Sequence, residues 1–310
     1  MNGVVVVDKP EGKTSFDIVR DIRRVLKIKK VGHTGTLDPL ATGVLPVCVN
    51  EATKLVPFLL RKDKQYRVTM LLGVETDTQD SDGTVVARCV PRVTPHEVEE
   101  VVRRHVGKME QTPPKYSAVK FRGKPLYKWT REGVDIDPPP RMIEVYDITI
   151  EDISLPYVTC AVSCSKGTYV RTLCADIGKL LGCGACVVAL RRTESGNFPE
   201  TIAVSLRGYD DEEKRKILEQ NLISLSDVLP EAVAVVVDER VAEKIRQGYQ
   251  PAIEVFERND IPSLSRGDLI KFLTVDDKMV AIARMLYDTG ELSCQNKKAR
   301  GVKVLRVFNE

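Results

Sequence analysis

The 310-residue sequence is poor in histidine, in tryptophan and in long apolar runs. Its three histidines, His33, His96 and His105, form no pair three to five residues apart. The lone Cys-x-x-Cys, Cys183 and Cys186, therefore lacks the second ligand pair of a structural zinc site and reads as two small apolar residues. No apolar run approaches the roughly 18 residues that cross a bilayer. The N-terminal run is only Val4 to Val7 before Asp8 and Lys9, too short for a signal-peptide core. The expected address is the cytoplasm, where thiols stay reduced. Gly12-Lys13-Thr14 sits between a strand and a helix as a P-loop ending does, but the required earlier glycine is Val7. Gly182 to Val187 lacks the last glycine of a dinucleotide fingerprint and follows a helix rather than a strand. No Gly-x-Ser-x-Gly elbow and no His-Glu-x-x-His occurs. Nothing here asks for a nucleotide, a metal or a cofactor, and none is expected.

What is present is a globular composition, 43% apolar and 29% charged, which excludes a disordered chain. The length suggests two domains at about 150 residues each. A buried strand is predicted at 4–7. A capping box at Thr14 to Asp17 then opens a helix with Ile18, Ile22, Val25 and Leu26 on its apolar face. A loop is predicted at 31–43, strands at 44–49 and 65–72, and a helix at 51–60. Thr94-Pro95-His96-Glu97 opens another helix. Strands follow at 143–150 and 158–163, and a helix at 171–181 stopped by Gly182. Strands and helices mix without a β-α-β rhythm, which predicts an α+β fold built on a mixed, largely antiparallel sheet. No internal repeat is evident. A small β-rich unit is expected over 231–310, after the charged stretch 210–217, leaving 1–230 as the first domain with an insertion at about 111–140.

The loop from Gly32 to Gly43 carries the sharpest chemical signal. Asp38 precedes Pro39 and is held extended, between glycines that let backbone approach a ligand. By its residues alone, an Asx turn capping local amides is the favoured reading. The net charge of +3 conceals two basic segments. Six basic residues and one acid lie between Arg20 and Lys30. Lys115, Lys120, Arg122, Lys124, Lys128 and Arg131 follow one another without an acid, interleaved with Tyr116, Phe121, Tyr127 and Trp129. Cations between stacking rings suit irregular or single-stranded RNA. Residues 1–140 carry +6, residues 141–230 carry −3 and residues 231–310 are neutral.

The chain resembles bacterial TruB-type tRNA pseudouridine synthases. Six motifs carry the resemblance in order: Asp8 to Ser15, the His33 to Gly43 loop, Lys64-Gln65-Tyr66, Gln111 to Lys120, Ser165 to Leu173, and Leu190 to Thr193 with Gly196 and Phe198. Residues 231–308 are more faintly similar to a PUA domain, a small RNA-binding pseudo-barrel. One departure stands out: Cys186 occupies a place where the family commonly has histidine.

The resemblance implies isomerisation of uridine 55 in the T loop of tRNA after the base is flipped out. It assigns Asp38 as the catalytic carboxylate, Arg171 as its orienting partner and Tyr66 as the ring that stacks on the base. Tyr169 and Leu190 would line the pocket, and His33 would fill the space the base leaves. Lys9 and Pro10 would pack beneath the catalytic loop, and Lys120, Arg122, Lys124 and Lys128 would hold the T arm. Attack on the sugar, attack on the base and removal of a ribose proton to give a glycal all remain open routes. The expected partner is the tRNA T stem-loop, with no membrane, no obligatory protein partner and a monomeric chain. The rival readings are a guide-RNA-dependent pseudouridine synthase and a non-catalytic RNA-binding or RNA-folding factor.

Overall fold

The computed structural model describes residues 1–60, 62–134, 136–256 and 262–309. Asp135 of the expected insertion, and residues 257–261 and 310 of the expected C-terminal unit, lie outside the described residues.

The chain opens with β1 (Gly3–Lys9), whose four valines are all buried because both faces are covered. Val5 and Val7 enter the main core, while Val4 and Val6 enter a second cluster shared with the C-terminal residues Met279, Ile282 and Phe308. Helix α1 (Ser15–Leu26) begins at the Thr14–Asp17 capping box read from the sequence. The predicted loop at 31–43 is partly strand: β2 (Val31–His33) pairs with β3 (Thr42–Val49). The helix expected at 51–60 is instead a 3₁₀ segment (Asn50–Leu55) followed by the single turn α2 (Val56–Leu59). Pro57 has no N–H to bond the preceding turn, so the helix restarts there.

Next come β4 (Lys64–Leu72), the hairpin strands β5 (Val74–Thr76) and β6 (Val85–Arg88), α3 (Pro95–Arg103) and β7 (Gly107–Gln111). The insertion holds a small hairpin, β8 (Lys120–Phe121) and β9 (Lys124–Pro125), and the short helix α4 (Leu126–Arg131). Strands β10 (Arg141–Ser154) and β11 (Tyr157–Cys164) precede α5 (Val170–Leu180), β12 (Ala185–Ser195) and β13 (Phe198–Pro199).

The fold is α+β. The main sheet has the order β1-β3-β12-β4-β11-β10-β7, antiparallel except where β12 meets β3. β12 is thus central, yet the sequence pattern marked only Leu190 to Thr193 within it. The charged stretch 210–217 is helical. It forms most of α6 (Asp211–Gln220), which Asp210 caps and which packs on α1. The strands β14 (Val233–Val236), β15 (Leu269–Leu273), β16 (Met279–Met285) and β17 (Val302–Val307) form a separate open four-stranded sheet, with α7 (Glu239–Arg246) alongside. Among the described residues no helix is long and apolar enough to cross a membrane.

Candidate active site

The Asp38 loop lies between β2 and β3 and is staked from below. Lys9 is fully buried, and its ammonium donates to the carbonyls of Pro10, Lys13 and Pro39 at 2.9, 2.6 and 3.2 Å. Ser15 exchanges hydrogen bonds with the Leu37 backbone at 2.8 and 3.1 Å, and the Gly12 amide donates to the Pro39 carbonyl. The Asp8-Lys9-Pro10-Glu11-Gly12-Lys13 stretch therefore props the loop rather than cradling a phosphate. Leu37, Leu40 and Ala41 anchor the loop in the core.

Above this base, Asp38 faces a cavity of about 240 Å³. Its lining includes Tyr66 and Lys64 of β4, Tyr169 and Arg171 at the start of α5, Leu190 and Arg192 of β12, Ser117 of the insertion, and Lys166. Arg171 Nε stands 2.9 Å from Asp38 Oδ2. Its Nη1 donates to the Thr78 carbonyl at 2.6 Å and lies 3.3 Å from Asp80 Oδ2, while Nη2 donates to the Tyr116 carbonyl at 2.9 Å. Only a planar guanidinium can serve so many acceptors from one position. Burial pushes the Asp38 carboxyl above the usual aspartate range; Asp80 adds to the rise and Arg171 opposes it. Burial likewise raises the phenols of Tyr66 and Tyr169.

The backbone of Tyr169 is pinned by Gln111 at 2.8 and 3.1 Å. Leu190 is buried at the cavity wall. His33 is half-buried beside the cavity rather than in its lining, with Nδ1 accepting from the Gly35 amide at 3.4 Å. Burial and Arg192 hold its imidazolium below the ordinary range. Pro10 lines a neighbouring groove.

The basic segments behave differently from their sequence reading. Lys120, Arg122 and Lys128 are exposed on the insertion, outside the cavity lining. Lys124 is tied down internally, paired with Glu132 just past the acid-free run and 4.3 Å from the Trp129 ring centroid. On α1, Arg24 pairs with Asp21 and Asp211, and Asp21 also takes Lys214 of α6 at 3.3 Å. Of that basic face Arg24 is spent on α6, Arg20 pairs with Asp17 at 2.5 Å and Arg23 bonds the Val31 carbonyl.

Sequence reasoning missed Asp80, and it placed Lys64 and Arg192 inside motifs without giving either a role. Asp80 sits in an acidic run that reads as solvated surface, yet its side chain is only 7% exposed. Arg192 had a usable signal, because adjacent strand residues point to opposite faces. Of the pair in β12, Arg191 faces out to Asp8 and Glu200, and Arg192 is buried, bonding the Val44 and Gly35 carbonyls at 2.7 and 3.2 Å. Gly43 allows this strand contact: its φ is +95°, and a Cβ there would meet the Arg192 carbonyl at 2.3 Å. Among the described residues no group of three His, Cys, Asp or Glu could hold a metal ion.

Comparison with known proteins accords with this geometry. Residues 23–170 match the family described as TruB family pseudouridylate synthase (N terminal domain), and residues 171–233 match the tRNA pseudouridylate synthase B C-terminal domain. The chain is 49% identical over 310 residues to tRNA pseudouridine synthase B of Syntrophus aciditrophicus, covering 100% of this chain and 99% of that one. The protein of the same name from Geobacter sulfurreducens is 44% identical over 100% of both chains. A chain in the crystal structure of a Cbf5-Nop10-Gar1 complex is similar with a TM-score of 0.73 and 27% identity, over 99% of this chain and 85% of that chain. With its ordered motifs now gathered around one cavity, the chain belongs to the TruB family of pseudouridylate synthases.

Proposed function

We propose that this protein isomerises uridine to pseudouridine in tRNA, acting at position 55 of the T loop. The observation that carries the reading is the Asp38 carboxylate, held by Arg171 against a nucleoside-sized cavity in a chain whose full-length relatives bear the name tRNA pseudouridine synthase B. The target base is stacked in a folded loop and must be flipped out, at a cost of a few kcal/mol. Tyr66 stacks on it, Tyr169 and Leu190 close the pocket, and His33 beside the cavity occupies the space the base leaves. The C1′–N1 bond breaks, the base turns, C5 bonds to C1′ and the C5 proton is lost while N1 gains one. Product and substrate are isomers, so no cofactor or metal is required. The raised Asp38 carboxyl strengthens that group as a nucleophile or base. Sugar attack, base attack and glycal formation all use this one carboxylate.

Lys120, Arg122 and Lys128 provide exposed cations for the T-arm backbone. Residues 231–310 act as a PUA-type RNA-binding domain beside a catalytic domain of residues 1–230, and the chain works as a monomer. The test is tritium release from a T-arm hairpin carrying 5-tritiated uridine, with the purified chain alone. Release without any partner supports a standalone enzyme. Release only with added guide RNA and proteins favours the guide-dependent reading, and tight binding without release favours an RNA-folding factor.

A further inference from the structure

The cavity is electrostatically lopsided. On one wall Arg171 is balanced by Asp38 and Asp80. On the other, Lys64 and Arg192 are 7% and 1% exposed, and their bonds go to neutral acceptors only. Lys64 Nζ donates to the Lys62 carbonyl, and Arg192 to the Val44 and Gly35 carbonyls. Among the described residues neither has a carboxylate within ion-pair distance. Their placement follows from strand geometry. Lys64 and Tyr66 are two apart on β4 and share its inward face, and Arg192 stands directly opposite Tyr66 on β12. The two cations therefore flank the ring expected to stack on the base. Buried charges without a counterion are costly, and a negative partner arriving with the substrate would relieve that cost.

We infer that Lys64, backed by Arg192, is a catalytic residue that stabilises the negative charge gathering on the uracil ring as its glycosidic bond breaks. This rests on the pseudouridine synthase reading above. When C1′–N1 breaks heterolytically, the bonding pair leaves with the ring, giving a uracil anion, while the Asp38 carboxylate captures C1′ or removes a ribose proton. The anion's charge is discharged when C5 bonds to C1′, N1 takes up a proton and the C5 proton departs. Lys64 needs no proton transfer of its own; its ammonium acts by position. A nucleotide phosphate is the other possible anion. It stays with the RNA chain at the cavity mouth, where the exposed Lys166 stands, whereas Lys64 is buried beside Tyr66.

The groups facing Lys64 are Arg192 of β12, Asp63 just before β4, Cys164 of β11 and Lys166. Burial, with Arg192 adding to it, brings the ammonium down to about 8. The experiment measures single-turnover pseudouridine formation at saturating T-arm hairpin, across pH, together with hairpin Kd, for wild type, Lys64→Gln and Lys64→Arg. Expected are an alkaline decline in the wild-type rate and a loss of about 100-fold in Lys64→Gln with Kd nearly unchanged. Lys64→Arg should keep most of the rate and carry it to higher pH. A raised Kd with an intact saturating rate would assign Lys64 to phosphate binding and overturn the inference, as would an unchanged rate. If Lys64→Gln fails to bind at all, the alkaline limb of Lys64→Arg decides: unmoved, it overturns the inference. Wild type without activity on the hairpin would instead overturn the underlying functional reading.

Discussion

Arg171 and Asp80 are 91 positions apart in the chain, yet Asp80 Oδ2 lies 3.3 Å from the guanidinium that also reaches Asp38 at 2.9 Å. One cation thus joins the Asp38 loop, the acidic turn after β5 and, through the Tyr116 carbonyl, the base of the insertion. Arg171 is held by all three, and through it the Asp38 carboxylate is oriented.

Asp38→Asn should lower turnover by at least about 10³-fold while hairpin binding persists, since the amide keeps the shape and loses the charge. Tritium release and a filter-binding Kd check this. Residual turnover near wild type would remove Asp38 from the mechanism.

Arg171→Met should cost about 3 to 5 kcal/mol of stability, because Asp80 stays buried with its cation gone. It should also shift the pH profile. Arg171 holds the Asp38 carboxyl down against burial, so its loss raises that group further. Activity requires the ionised carboxylate and falls as pH drops through its pKa, so the acid limb should move to higher pH. Thermal melts and a rate–pH profile read the two effects separately; an acid limb that stays put or moves down would contradict the assignment.

Neutralising Lys120, Arg122, Lys124 and Lys128 together should weaken hairpin binding and flatten its salt dependence. Each lost phosphate contact should reduce the log–log slope by about 0.7 to 0.9. Lys124→Gln alone should move the slope least, because that ammonium is already engaged by Glu132 and Trp129. Equal slope changes for all four single variants would show that Lys124 leaves its internal partners when RNA binds.

Gly43→Ala should destabilise the fold by more than about 1 kcal/mol, since the new Cβ would sit 2.3 Å from the Arg192 carbonyl at positive φ. The displacement falls on the strand that follows the Asp38 loop, so turnover should fall together with the melting temperature. An unchanged melt would mean that β3 and β12 can part here at little cost.

Chelator treatment should leave turnover unchanged, and Cys183→Ser with Cys186→Ser should bind no stoichiometric zinc less than wild type. Both thiols are buried, and burial raises each above the ordinary thiol range. Loss of activity on exhaustive chelation would restore a metal reading.

Local features were legible because their causes are local. The Thr14 and Thr94 capping boxes and the buried valines of β1 each depend on neighbours within a few residues. The helix expected at 51–60 failed for an equally local reason, Pro57, which the apolar pattern outweighed. The central strand β12 was only partly legible, because Ala185–Ser195 packs both faces and its small and charged residues mask the period.

The candidate site divides in the same way. The residues of Asp38, Tyr66, Tyr169, Arg171 and Leu190 were readable as ordered motifs, because their chemistry fixes residue type in a short frame. Motif order and strand–helix patterning were thus enough to reach the family, the α+β class and the Asp38 loop. Which charges remain available depends instead on long-range packing. Strand register put Arg192 opposite Tyr66, and Lys64 beside it, without carboxylates. The packing of α6 on α1 spent Arg24 on Asp211, and the insertion closed Lys124 onto Glu132. A charge is a property of one residue, whereas its compensation depends on what folding brings within a few ångströms, and here an ion-pair partner comes from 193 positions away.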